Sequence, residues 1–129
     1  EPLQRVDVGA LSDSITLAEP AGYLDFVALQ AGARLVLTDS GGVQEETTML
    51  GVPCLTMREN TERPITVEQG SNQVVGTDPS TIVVTARRTL EAETEYPTPE
   101  LWDGRASERI VDARLDEPLE RRLRPTDLS

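Results

Sequence analysis

The chain has 129 residues, enough for one compact domain, with 23 acidic against 12 basic residues and a formal net charge of -11. Such acidity repels phosphate backbones and anionic lipid, which excludes nucleic acid and an anionic membrane as partners. Every cation is arginine and histidine is absent, so proton transfer would fall to carboxylates or to another chain or domain.

Glu1 to Ser12 shows no clear period and reads as a loop or a cut end, without a signal peptide. Ser14-Ile15-Thr16-Leu17 is a candidate strand closed by Glu19-Pro20. Tyr23, Phe26, Val27 and Gln30 follow helical spacing, which predicts a helix from Gly22 to Gln30 with Gly32 ending it. Arg34 to Thr38 is a second strand. The helix after it carries Val43, Thr47 and Leu50 on one face and stops at Gly51. Val52 to Met57 is a third strand, with Pro53 at its start, where a strand tolerates it. Cys54 lies in this run. As the only cysteine it excludes an internal disulfide and a cysteine-rich metal site, and it reads as a small core residue.

A polar loop, Arg58 to Pro64, leads into a short helix over Ile65 to Gln69, since proline suits a first helical position. Asn72 to Val75 reads as a fourth strand. Gly76-Thr77-Asp78-Pro79 then turns into a helix from Ser80 to Glu91. Glu95 to Gly104 is a connecting loop, and Ala106, Ile110 and Ala113 mark a last amphipathic helix. Asp116 to Ser129 is charged, holds two prolines and reads as a flexible tail. Alternating strands and helices predict an α/β fold with a Rossmann-like parallel sheet and flanking helices, over residues 1–115. In such sheets ligands gather at the carboxyl ends of the strands. The turn over Thr38 to Gly42 and the loop from Arg58 to Pro64 both follow strand ends and should share one rim.

The stretch from Leu35 to Glu46 reads as strand, tight turn and helix start. A helix that opens on Ser40-Gly41-Gly42 leaves bare N–H groups at the positive end of its dipole, and glycines let an anion, most often a phosphate, approach them. Glu46, placed in the first turn, offers acceptor oxygens to a pair of sugar hydroxyls. The competing reading is a Ser40-capped helix with no ligand.

Tyr23-Leu24-Asp25-Phe26, Thr38-Asp39-Ser40-Gly41-Gly42-Val43-Gln44-Glu45-Glu46, Leu50-Gly51-Val52-Pro53, Thr61-Glu62-Arg63-Pro64 and Val75-Gly76-Thr77-Asp78 stand in this order. Each motif is weak alone; the ordered set is specific. From Ser14 to Leu115 the chain resembles the non-hydrolysing UDP-N-acetylglucosamine 2-epimerase family. The resemblance implies part of the C-terminal half of a glycosyltransferase-B-like fold, with the N-terminal half of such a fold as a partner and a homo-oligomer left open. It implies UDP-N-acetylglucosamine or UDP as ligand, no cofactor and no metal.

The implied roles are residue by residue. Phe26 matches the position beside the uracil. Ser40, Gly41 and Gly42 match the turn that holds the diphosphate, Glu46 the residue that takes the ribose hydroxyls, and Arg63 an arginine lining the nucleotide-sugar cleft, where its planar fork suits an oxyanion. Without the family, Phe26 reads as core packing, and Arg63 as a solvated loop cation. Glu45 reads as a helix-surface charge. The family interconverts UDP-N-acetylglucosamine and UDP-N-acetylmannosamine by eliminating UDP with loss of the proton on the sugar's second carbon, then adding it back. The acid–base groups for that chemistry have no counterpart here, so the fragment alone is expected to be inactive. The turn favours the non-hydrolysing branch, whose hydrolysing relatives carry more serine there. Thr48 stands where the family often has proline, and Ala21-Gly22 replaces bulkier residues. The rival readings are the C-terminal half of a UDP-sugar glycosyltransferase and a non-catalytic nucleotide-binding remnant. The composition also predicts a salt-adapted, halophilic protein, since salt screens self-repulsion among carboxylates. No apolar run approaches the length that spans a bilayer, which with no signal peptide predicts a cytoplasmic location.

Overall fold

The computed structural model describes residues 14–92 and 94–115. The expected loop at Glu1 to Ser12 and the tail from Asp116 lie outside them. Three short strands, β1 (Val36–Thr38), β2 (Cys54–Thr56) and β3 (Asn72–Val74), pair in parallel in the order β1-β2-β3. Their register aligns Val36 with Cys54 and Asn72, Leu37 with Leu55 and Gln73, and Thr38 with Thr56 and Val74. Successive side chains alternate between faces. One face therefore carries Val36, Thr38, Cys54, Thr56, Asn72 and Val74, and the other Leu37, Leu55 and Gln73.

The helices are α1 (Tyr23–Ala31), α2 (Gly41–Leu50), α3 (Pro64–Glu68), α4 (Pro79–Glu91) and α5 (Ala106–Leu115). Their starts and stops follow local chemistry. Gly51 closes α2 at a φ of 66°, a left-handed conformation that glycine adopts without a side-chain clash. Asp78 caps α4 by accepting the Thr81 N–H at 2.8 Å, and Pro79 occupies its first turn. The hydroxyls of Ser80 and Thr81 and that N–H hold the Asp78 carboxyl below the usual carboxylate range. Helix α2 is the hub: it packs against all three strands and against α1 and α3. Helix α4 lies on the opposite face, where the Gln73 side chain donates to Thr89 at 3.4 Å. Among the described residues no helix is long and apolar enough to cross a membrane.

The alternation of elements agrees with the sequence reading, with three differences. Ser14 to Leu17 forms no strand, and Ile15 and Leu17 are exposed. A strand exists through its ladder, and no described strand runs beside this segment. The buried face of α2 is not Val43, Thr47 and Leu50. It is Gln44, Thr47 and Thr48, while Leu50 is exposed. Helix α5 has its amphipathic period but buries no residue: Ile110, Val111 and Leu115 all face solvent. It is fastened at its start by ion pairs, Arg105 with Glu108 at 2.8 Å and Arg109 with Asp103 at 2.9 Å. The Arg109 guanidinium pulls the Asp103 carboxyl down to about 2.

The buried core is correspondingly polar. Val52, Cys54 and Leu55 are its apolar members; Gln44, Thr47, Thr48, Thr56, Thr66, Ser71 and Asn72 share the interior. Most of these groups satisfy one another; the buried Ser71 hydroxyl has no partner among the described residues. Thr56 donates to Asn72 Oδ1 at 2.6 Å, and Asn72 Nδ2 donates both to Gln44 Oε1 at 3.1 Å and to Thr66 at 3.0 Å. Thr47 and Thr48 bond back to the carbonyls of Val43 and Gln44 at 2.8 Å each. Burial pushes the Cys54 thiol up, against the opposing pull of the Thr47 and Thr56 hydroxyls, which fits the small core residue read from the sequence.

Candidate functional site

The carboxyl ends of β1 and β2 open onto one rim, as the order of elements requires. The Met57 N–H donates to the Thr38 carbonyl at 2.8 Å, which brings the Arg58 to Pro64 loop alongside the turn before α2. That turn is built locally. The Ser40 N–H donates to Thr38 Oγ1 at 3.0 Å, and Ser40 adopts an extended conformation ahead of the helix. The first intrahelical bond runs from the Gln44 N–H to the Ser40 carbonyl at 3.3 Å. The amides of Gly41, Gly42 and Val43 therefore stand ahead of the helical ladder. Ser40 makes no side-chain cap bond, which removes the reading of this stretch as a simply Ser-capped helix.

The two glycines are not explained by the fold itself. Neither has a positive φ. A Cβ added at Gly41 would come no closer than 4.0 Å to Arg63, and one at Gly42 no closer than 4.0 Å to Ser40 Oγ. Both could carry a side chain as far as the protein's own atoms are concerned. What their bareness provides is clear access to backbone N–H groups at the positive end of a ten-residue helix.

Arg63 reaches this turn from the opposite loop. Its Nε sits 2.9 Å from Glu45 Oε1, an ionic contact without the alignment of a hydrogen bond, and its Nη1 donates to the Glu62 carbonyl at 3.2 Å. The remaining donors of the fork make no hydrogen bond among the described residues. Both side chains are about two-fifths exposed, so the pair contributes roughly 0–1 kcal/mol and acts mainly by placing the guanidinium. Glu45, read from sequence as a surface charge, is thus the partner of Arg63. The loop itself is pinned by Thr61, whose hydroxyl accepts the Arg63 N–H at 2.9 Å and donates to Gln44 Oε1 at 2.6 Å. Thr66 completes the hold by donating to the Arg63 carbonyl at 2.7 Å. The core network therefore runs directly into the rim.

Glu46 is the sixth residue of α2 and sits in the second turn, not the first, because the helix begins at Gly41. Its carboxylate faces α1, where the Gln30 amide donates to Oε2 at 2.6 Å. Phe26 lies on α1 one turn before Gln30. It is 42% exposed, so core packing does not account for it. Phe26 and Gln30 line a groove of about 240 Å³ with Leu29, Leu37, Thr38 and Val43. The structure thus gathers Ser40, Gly41, Gly42 and Arg63 on one rim, with Phe26 in the adjoining groove and Glu46 bonded to the groove residue Gln30. Sequence reasoning missed Gln30, Gln44, Thr61 and Asn72. Gln30 and Gln44 lie on helices and Asn72 on β3, while Thr61 lies in a loop, so no single period marked them.

Thr48, which departs from the family pattern, is fully buried and lies against Gly70. Its hydroxyl is satisfied within its own helix, so the departure leaves the rim untouched.

The family model for UDP-N-acetylglucosamine 2-epimerase matches residues 3–114. A Methanocaldococcus jannaschii protein of that name is 46% identical over 97 residues, covering 75% of this chain and 26% of the relative. A Salmonella typhimurium protein of the same name is 43% identical over 118 residues, covering 88% and 31%. Among solved structures, the M. jannaschii UDP-GlcNAc 2-epimerase in complex with UDP-GlcNAc and UDP aligns with a TM-score of 0.67 at 45% identity, over 76% of this chain and 27% of that one. The Neisseria meningitidis UDP-GlcNAc 2-epimerase bound to UDP-GlcNAc aligns with a TM-score of 0.64 at 35% identity, over 78% and 29%. The chain spans 26 to 31% of the length of these curated relatives. With a parallel sheet, a bare helix start and an arginine-bearing loop meeting on one rim, and with the family model covering nearly all of its length, the chain belongs to the UDP-N-acetylglucosamine 2-epimerase family.

Proposed function

We propose that this rim binds the UDP moiety of a UDP-N-acetylhexosamine, as the C-terminal nucleotide-binding portion of a UDP-N-acetylglucosamine 2-epimerase. The observation that carries the reading is the uncapped start of α2, with bare glycines that the fold does not require. The Gly41 and Gly42 amides and Ser40 hold the diphosphate, and the remaining donors of Arg63 take one of its oxygens. In a reaction that eliminates UDP, negative charge grows on that diphosphate. Preorganised amides and a guanidinium stabilise it where it develops. Glu46 accepts from the ribose hydroxyls and Phe26 lies beside the uracil. The chain supplies no histidine, so proton transfer at the sugar falls to groups of an N-terminal half. The relatives above carry the epimerase name, which supports this reading over a glycosyltransferase half.

A half-site lacks the contacts of a second domain, so UDP affinity on the order of 1 mM, ~4 kcal/mol, is expected. Glu46→Ala tests the assignment by NMR titration. UDP should weaken by about ten- to a hundredfold, since one set of charge-assisted hydrogen bonds contributes roughly 1.5–3 kcal/mol, while inorganic diphosphate binds as before. Equal weakening of both ligands, or UDP-induced shifts away from the rim, would sink the ribose assignment.

We also infer a salt-adapted setting from the excess of carboxylates. The thermal midpoint should rise from low salt to molar potassium chloride as repulsion is screened. A flat or falling midpoint counts against it.

A further inference from the structure

We propose that Gln30 is a positioning residue for nucleotide binding: its side-chain amide holds the Glu46 carboxylate against the Phe26 face of α1, in the orientation that receives the ribose hydroxyls. The role rests on the reading of Glu46 given above and extends it to a residue that never touches the ligand.

Geometry fixes the direction of the contact. Gln30 Nε2 lies 2.6 Å from Glu46 Oε2 and bridges α1 to α2. A carboxylate only accepts, so the amide must present its NH₂ group to it. Phe26 and Gln30 are four residues apart on α1 and share a face, and both line the same groove. The Gln30 position therefore lies about 6 Å from the Phe26 position along the axis of α1, at 1.5 Å per residue. A base beside Phe26 would place its ribose toward Glu46. With one lone pair of Oε2 taken by Gln30, Glu46 keeps Oε1 and the rest of Oε2 for two hydroxyls. A glutamate on a half-open helix face otherwise samples several rotamers, and fixing one beforehand removes that entropy from the binding step.

The second observation is energetic. Gln30 is 3% exposed, and its Oε1 is buried with no hydrogen-bond partner. A buried orphan acceptor is destabilising, and an apolar side chain of equal length would avoid it. The cost of the orphan acceptor offsets the stabilisation from the bond to Glu46, so net stability gives little reason for a glutamine here. What it gains is the single donor bond to Glu46.

The test uses the 129-residue chain, with UDP, 2′-deoxy-UDP and inorganic diphosphate as probes. Gln30→Met keeps length and packing and removes the donor. Its thermal midpoint should stay level or rise. UDP should weaken about fivefold, the loss expected of one hydrogen bond, the preference for UDP over 2′-deoxy-UDP should shrink, and diphosphate should be unaffected. In the unliganded chain, the Gln30 side-chain amide protons should exchange slowly with solvent, and Glu46→Ala should abolish that protection. Glu46→Ala separates the two layers of the argument. If it removes the ribose preference while Gln30→Met leaves it intact, positioning by Gln30 is wrong and the role of Glu46 stands. If Glu46→Ala leaves the preference unchanged, the ribose reading fails and takes the Gln30 role with it. A Gln30→Met chain that loses thermal stability and binds all three probes more weakly would show a merely structural residue.

Discussion

Gly70→Ala is expected to destabilise the chain by about 3 kcal/mol, the upper end of the usual cost of overpacking. A Cβ at Gly70 would sit 2.5 Å from Thr48 Cγ2, 2.8 Å from Thr48 Oγ1 and 2.6 Å from the Thr66 carbonyl oxygen. Two of these atoms belong to a fully buried side chain and the third to the backbone of α3, so no flexible group can swing aside. The clash falls where α2 and α3 converge on the turn before β3, within the hub of the fold. Urea denaturation should show the midpoint collapse. Thr48→Ala removes two of the three contacts, so the Gly70→Ala, Thr48→Ala double variant should recover part of the loss. Full stability in the single variant would mean that the packing described around Gly70 is wrong.

Gly42→Val is expected to do the opposite: spare the fold and remove the ligand. The nearest atom to a Cβ there is Ser40 Oγ at 4.0 Å, and the backbone φ is ordinary. Thermal stability should change by no more than about 0.5 kcal/mol, as for exposed substitutions in general. The branched side chain would cover the N–H groups at the start of α2, which pushes UDP and inorganic diphosphate alike below detection in an NMR titration that sees the wild-type chain bind. Glu46→Ala spares diphosphate, so the two variants separate the phosphate and ribose parts of the site. A Gly42→Val chain that binds diphosphate as the parent does would remove the helix start from the proposal.

The boundaries of the fold were legible because its punctuation is local. Gly51, Asp78-Pro79 and Pro64 mark ends and starts by their own backbone chemistry, and the structure places those ends within a residue or two of where the sequence reading puts them. The rim was legible for the same reason, since strand, Ser-Gly-Gly turn and helix are contiguous in the chain. The interior was not. Hydropathy directs glutamine, asparagine and threonine outward, whereas Gln44, Asn72 and Thr56 are buried here because each supplies what another lacks, across as many as 28 residues of sequence. Pairwise satisfaction of that kind leaves no periodic trace. Ser14 to Leu17 misled in the other direction: it has a strand's composition, but pairing depends on a neighbour that the segment cannot encode. Glu45 and Gln30 illustrate a third case. Each lies on a correctly read helix, and only the packing of loop or helix against it shows which charge it meets.

The hydrogen-bonded interior around Gln44 and Asn72 sets how the chain responds to temperature. Wetting apolar surface on unfolding raises the heat capacity, and wetting polar surface lowers it. Among the described residues the buried apolar side chains are Val52, Cys54 and Leu55, set among amides and hydroxyls. Their opposing contributions leave a small heat-capacity increment for the folded core, and a small increment makes the stability curve shallow. A fold held in this way loses little on cooling, because little of its cohesion comes from the apolar hydration that weakens in the cold.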